Sequence, residues 1–230
     1  WLCPCFKSPN DDNGYDVSDY RDIMDEFGTM DDMDALIKGL HSRGMKLILD
    51  LVPNHTSTDH RWFQESRKGR NNPYSDYYYW FDEIPNDWQS AFGGSAWQYD
   101  ALRGQYYLHT FAVSQADLNW DNPAVVKEMQ SVVDFWVGKG CDGFRIDVID
   151  CISKNIGKGE NSHGPRLHEH IRALFGREKA SHLFTVGEGN TNNIEDIVRD
   201  ELNKIGCEEM QFTALQNPEL WEKTGRWSDQ

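Results

Sequence analysis

With 230 residues, 38% of them hydrophobic and 13% aromatic, the chain has material for a sizeable core, as one domain or as part of a larger one. A net charge of −15 speaks against nucleic acid or an anionic membrane surface as partner. No stretch reaches the apolar length of a transmembrane helix.

The chain opens on apolar, strand-like residues, 1–6, without Met and without a charged leader. That start reads as an N-terminal truncation, not as a signal peptide. A polar loop, 7–16, follows. Thr29, Asp31 and Asp32 then mark a helix start, with Leu36, Ile37 and Leu40 as the apolar face and a stop at Gly44. Residues 45–52 predict a second buried strand, so strand, helix and strand make a βα unit of a parallel sheet. From Asn54 to about Asn119 the pattern turns polar, aromatic and rich in Gly and Asn. This segment is too long for an ordinary βα loop and reads as an inserted subdomain. Pro123 opens a helix whose inner face is Val125, Val126, Met129, Val132, Val133 and Trp136, ended by Gly138 and Gly140. A buried strand over 143–149, a helix over 167–175, a strand over 183–188, a helix over 194–205 and a strand over 208–213 complete the pattern. The five cysteines (Cys3, Cys5, Cys141, Cys151, Cys207) are odd in number and lack metal-like spacing. Free, buried thiols in a reducing compartment are expected.

Repeated βα units with charges at the C-terminal ends of strands place chemistry at those ends, in a barrel or an open sheet alike. No glycine-rich phosphate loop follows the first strand, which counts against a nucleotide fold. Arg145 and Asp147 alternate in one strand and project to the same side. Their simplest role is a buried structural pair. Glu188, at the end of the next strand, adds a second carboxylate. Two carboxylates on neighbouring strands are what a retaining glycosidase needs, about 5–5.5 Å apart. The nucleophile must stay ionised, and Arg145 beside Asp147 is expected to hold its pKa down. Glu188 lies between Gly187 and Gly189 with no cation beside it in sequence, which suits the acid/base.

At these residues a family resemblance emerges. Asp50-Leu51-Val52-Pro53-Asn54-His55, Gly143-Phe144-Arg145-Ile146-Asp147 and Val186-Gly187-Glu188 resemble three of the four main motifs of the α-amylase family, glycoside hydrolase family 13. Gln115-Ala116-Asp117-Leu118-Asn119 is similar to the extra motif of its oligo-1,6-glucosidase branch. The resemblance runs in family order from the first residue to about Thr213. It implies an α/β chain forming part of a (β/α)8 TIM barrel, about strands 2 to 6, with a domain B inserted after the third strand. The implied segments are 1–54 (barrel), 55–119 (domain B) and 120–230 (barrel again). It also implies double displacement, with Asp147 as nucleophile and Glu188 as general acid and then base. Arg145 would orient Asp147, Asp50 would support that network, and His55 would hydrogen-bond the sugar in the −1 subsite. Asp12 and Tyr15 match the pair that grips a terminal glucose, and Phe111 matches an aromatic lining the cleft. In this family Val at position 148 goes with α-1,6 linkages; otherwise it is an ordinary β-branched strand residue.

The family's fourth motif, with the third carboxylate, is missing, as is the loop that often holds calcium. The 230 residues alone are therefore expected to be inactive or very weak, and poorly soluble from exposed sheet edges. No cofactor is required, and any structural calcium would lie outside this chain. The resemblance implies an α-glucosidase for terminal α-1,6 bonds of short oligosaccharides, monomeric and cytoplasmic. Trehalose-6-phosphate hydrolase, α-1,4-glucosidase and sucrose isomerase share most of these motifs. A non-catalytic binding module would usually have lost a catalytic carboxylate, whereas here Arg145, Asp147 and Glu188 are all present.

Overall fold

The computed structural model describes residues 1–180 and 182–189. The helix expected over 194–205 and the strand over 208–213 lie outside them. At the centre is a parallel sheet of β3 (Ile48–Leu51), β9 (Gly143–Ile146) and β10 (Phe184–Gly187), in the order β10-β9-β3. Leu51, Ile146 and Gly187 are in register, so the residues that follow them emerge side by side. Gly143 has a steric reason: a Cβ there would overlap the Phe184 carbonyl. Asp142 ties the opposite end of the sheet together. It accepts hydrogen bonds from Leu47 N–H (2.8 Å) and Lys46 Nζ (2.8 Å), and pairs with His41 Nε2 (2.7 Å).

The strand expected over 1–6 is reduced to one parallel bridge, Leu2 to Leu49, in which Leu2 N–H donates to the Ile48 carbonyl at 2.9 Å. The chain then turns into β1 (Phe6–Lys7), which pairs antiparallel with β2 (Asp19–Ile23). β2 escapes sequence reading because its two buried positions, Tyr20 and Ile23, break the period of two. The Tyr20 hydroxyl lies 2.7 Å from the Val52 carbonyl and 2.9 Å from that of His55, fastening this hairpin to the end of β3.

α1 (Met30–His41) begins with a capping box, Thr29 and Asp32 each satisfying the other's backbone N–H. Its buried residues are Met33 and Ile37, whereas Leu36, expected inside, is 42% exposed. The i, i+4 pair defines the stripe facing the sheet, and Leu36 falls off it. α3 (Pro123–Lys139) starts from the Asn122 cap with Pro at its first turn. It runs through Gly138 and ends at Gly140, left-handed at φ 102°. Five of its six expected inner residues are buried, and Val126 is half-buried at the edge of the stripe. Trp136 stacks on Phe6, ring centroids 5.0 Å apart, and donates from Nε1 to the Tyr20 carbonyl at 2.7 Å. α4 (Leu167–Ala180) is kinked at Gly176.

Between β3 and α3 lie β4 (His55–Ser57), α2 (Arg61–Ser66), β5 (Trp80–Phe81), β6 (Trp97–Asp100), β7 (Gln105–Leu108) and β8 (Gln115–Asp117). β5, β7 and β6 form an antiparallel sheet of their own, backed by a separate cluster of Trp88, Ala96, Trp97 and Leu108. β4 pairs antiparallel with β8, His55 opposite Asp117, closing the base of the segment. The strand expected over 143–149 stops at Ile146; Val148 is left-handed (φ 38°), and a short 3-10 turn, Ile149–Ile152, follows. Cys3, Cys5, Cys141 and Cys151 are free, but Cys3 is exposed, since the chain leaves the sheet immediately after Leu2. Among the described residues no helix is long and apolar enough to cross a membrane.

Candidate active site

The C-terminal ends of β3, β9 and β10 deliver Asp50, Arg145 with Asp147, and Glu188 to one place. Arg145 Nη1 donates to Asp50 Oδ1 (2.9 Å) and Asp147 Oδ1 (2.8 Å) and reaches the Tyr15 hydroxyl (3.3 Å). Its Nη2 contacts Glu188 Oε2. The guanidinium carbon also lies 5.5 Å from the Trp1 ring centroid and 5.7 Å from that of Tyr15. One cation thus serves three carboxylates, and aromatic faces complete its surroundings.

Two expectations fail here. Burial pushes the Asp147 carboxyl up to about 6, and the opposing pull of Arg145 does not cancel it; Asp50 and Asp12 push the same way as burial. Asp50, held by the same guanidinium, adds its own repulsion and offsets part of what Arg145 supplies. Nor is Glu188 without a cation, since cross-strand register brings the long Arg145 side chain to it. Neighbours in sequence do not reveal neighbours across a sheet. The Asp50 carboxyl is likewise raised, first by burial, with Arg145 opposing.

A second group is built on β4, β8 and the loop after β1. His55 is buried, and burial lowers its pKa to about 4, so the ring is neutral. Its Nδ1 lies 3.0 Å from Asn54 Nδ2, and its Nε2 lies 3.3 Å from Gln115 Nε2. Gln115 donates to Asp12 Oδ2 at 2.8 Å. Asp12 and Tyr15 share one tight turn, Tyr15 N–H donating to the Asp12 carbonyl at 2.9 Å. Buried Asp16 holds that turn, accepting from Ser8 Oγ (2.8 Å), Asp11 N–H (3.0 Å) and Asp12 N–H (3.1 Å). Gly14, at φ 91° and against Pro4, permits the close approach. Phe111 leans on the His55 ring at 5.2 Å. Tyr15 joins the two groups, through its hydroxyl to Arg145 and through its amide to Asp12. Val148 is half-buried directly after Asp147.

Three residues of the site were not legible in sequence. Lys154 is buried, with Nζ 2.9 Å from Asp117 Oδ2 and donating to Asn54 Oδ1 at 2.7 Å. Asp117 also accepts from Thr110 N–H (2.9 Å) and Oγ1 (2.5 Å). The pair therefore underlies Asn54 and His55. Asp117 stood inside a recognised motif, but no spacing connected it to Lys154. Asp16 fell at the end of the polar loop over 7–16, with nothing in sequence to single it out. Phe92, 63% exposed, meets Phe111 edge-on at 5.9 Å and extends the aromatic wall outward.

The alpha-amylase family description "Alpha amylase, catalytic domain" matches residues 1–223. The chain belongs to the alpha-amylase family of glycoside hydrolases. An oligo-1,6-glucosidase of Parageobacillus thermoglucosidasius is 51% identical to it, over 82% of this chain and 37% of that protein. Among solved structures of the family, the trehalose-6-phosphate hydrolase of Bacillus licheniformis is similar at TM-score 0.79 and 46% identity, covering 88% of this chain and 40% of that one. The trehalulose synthase MutB of Pseudomonas mesoacidophila MX-45 is similar at TM-score 0.77 and 43% identity, covering 82% and 37%. The chain spans well under half the length of each of these three.

Proposed function

We propose that the full-length protein is a retaining α-glucosidase that hydrolyses terminal α-1,6 bonds of isomalto-oligosaccharides. The observation that carries this reading is the single guanidinium joining Asp147 and Glu188 across neighbouring strand ends. In the first half-reaction the Asp147 carboxylate attacks the anomeric carbon while Glu188 protonates the departing oxygen; in the second, Glu188 takes a proton from water. With a carboxyl near 6, Asp147 is ionised at neutral pH. Donating its proton to the departing oxygen leaves Glu188 ionised to activate the water, and taking the water's proton restores the acid for the next turnover.

Neutral His55 would bond a hydroxyl of the −1 sugar, Asp12 and Tyr15 would grip the terminal glucose, and Phe111 would wall the cleft. Val148 would narrow the +1 side, and a difference of one small group there is worth about 1–3 kcal/mol in discrimination. In this reading 1–54 and 120–230 are barrel, about strands 2 to 6, and 55–119 is domain B. The partner is a small oligosaccharide. We infer a monomeric, cytoplasmic enzyme without a cofactor, any structural calcium lying outside this chain. Likeness to trehalose-6-phosphate hydrolase supports that activity as the second reading.

The test offers isomaltose, maltose, trehalose-6-phosphate and sucrose to the full-length enzyme. Glucose release mainly from isomaltose, abolished by Asp147→Asn, is the expected result. Preference for another substrate would overturn the α-1,6 assignment, and no turnover of any α-glucoside would leave a binding module.

A further inference from the structure

Val148 has φ 38° and ψ 49°. Left-handed backbone crowds the Cβ of an L-residue against its own carbonyl, most severely in β-branched residues. Among the described residues the other non-glycine residues at positive φ are Asn10, Asn13 and His163, types that accept it more readily. The hydrogen bonds around Val148 show what holds it there. Ile146 faces Gly187 in register, and Glu188 N–H donates to the Ile146 carbonyl at 2.9 Å. In an uninterrupted parallel ladder the next rung would run from Val148 N–H to the Glu188 carbonyl. Here the Ile149 N–H takes that carbonyl, at 3.0 Å. One residue has been looped out, which makes a bulge, and bulges next to active sites re-aim side chains.

On the other flank Asp147 N–H donates to the Leu51 carbonyl at 2.8 Å, in ordinary register. The main chain of Asp147 is therefore fixed to the strand of Asp50, and the turn after it to the residue that carries the second carboxylate. Cys151 N–H closes on the Val148 carbonyl at 2.9 Å, and Ile149 and Ile152 after it are fully buried.

We propose that Val148 is a positioning residue whose left-handed kink, more than its side-chain shape, sets the Asp147 carboxylate against that of Glu188. The proposal rests on the reading of those two groups as nucleophile and acid/base. A residue with a Cβ occupies only a small left-handed well, whereas glycine roams widely. Val148→Gly should therefore loosen the spacing, and Val148→Ala should keep it.

Both variants of the full-length enzyme are compared on isomaltose and maltose, with active sites counted by a covalent glucosyl inhibitor. In Val148→Gly kcat falls about tenfold, whereas Val148→Ala, which opens the +1 side, shifts the preference between isomaltose and maltose and leaves the acid limb of the pH profile in place. The acid limb of the kcat/KM profile also moves in the glycine variant, because Asp147 shifts relative to Arg145. A residue that only stabilised the fold would lower the count of active sites and leave kcat per site and the pH profile unchanged. Unchanged kcat in Val148→Gly, or an equal fall in both variants, overturns the proposal and leaves the hydrolase reading intact. Absence of turnover in the unsubstituted enzyme would remove the reading and the proposal together.

Discussion

Arg145 meets Asp50, Asp147 and Glu188, and burial together with the negative charge of Asp50 leaves Asp147 under-compensated. Its carboxyl ordinarily titrates at 3.8 but is pushed up to about 6 by burial. Between these values the folded chain holds a proton that the unfolded chain has released. Stability therefore falls as pH rises through that window, and the full penalty is present above it. Asp147→Asn removes the penalty. Urea denaturation should find the variant more stable at pH 7.5 by about 1–3 kcal/mol, with the advantage gone near pH 3.5. Equal stabilisation at both pH values would contradict the account. Asp147 beside Arg145 was legible in sequence because alternation along a strand is local. The pKa was not, because it depends on how deeply three strand ends bury the group.

At the level of elements, β8, and β4 paired with it, are stitched to the loop that follows the 3-10 turn after β9 by the Lys154–Asp117 pair, both side chains fully buried. Removing one partner strands a buried charge, so Lys154→Ala should cost about 3–5 kcal/mol. Replacing both, as Lys154→Met with Asp117→Leu, should recover much of that loss, because the desolvation cost disappears with the charges. Denaturation midpoints of the two variants decide it; an equal loss in both would mean that the hydrogen bonds to Asn54 and Thr110, not the charge balance, hold the elements together. α1 and α3 were legible because the Thr29 start with its acids, Pro123 and Gly140 are local signals. β2 was not, since its burial comes from Tyr20 reaching the end of β3 rather than from any pattern within it.

At the scale of the molecule, the described parallel strands stand in chain order, Leu2, β3, β9 and β10, with one end of the sheet collecting every proposed catalytic group. The chain covers 37% of its oligo-1,6-glucosidase relative, and the resemblance places a third carboxylate outside it. Turnover by the isolated 230 residues should be at least about a hundredfold below that of the full-length enzyme, since transition-state contacts would be missing. Comparable kcat values for the two would refute this. Sequence alone determined the family and the βα order, and it singled out the carboxylates and the arginine that the sheet brings together, because motifs, caps and apolar period are written within short windows. Tertiary structure alone decided that Arg145 also meets Glu188, that burial outweighs Arg145 at Asp147, that Lys154 supports His55, and that the strand breaks into a bulge at Val148. Each of these depends on register between strands distant in the chain, and the resulting burial and charge sharing are properties of the assembled sheet.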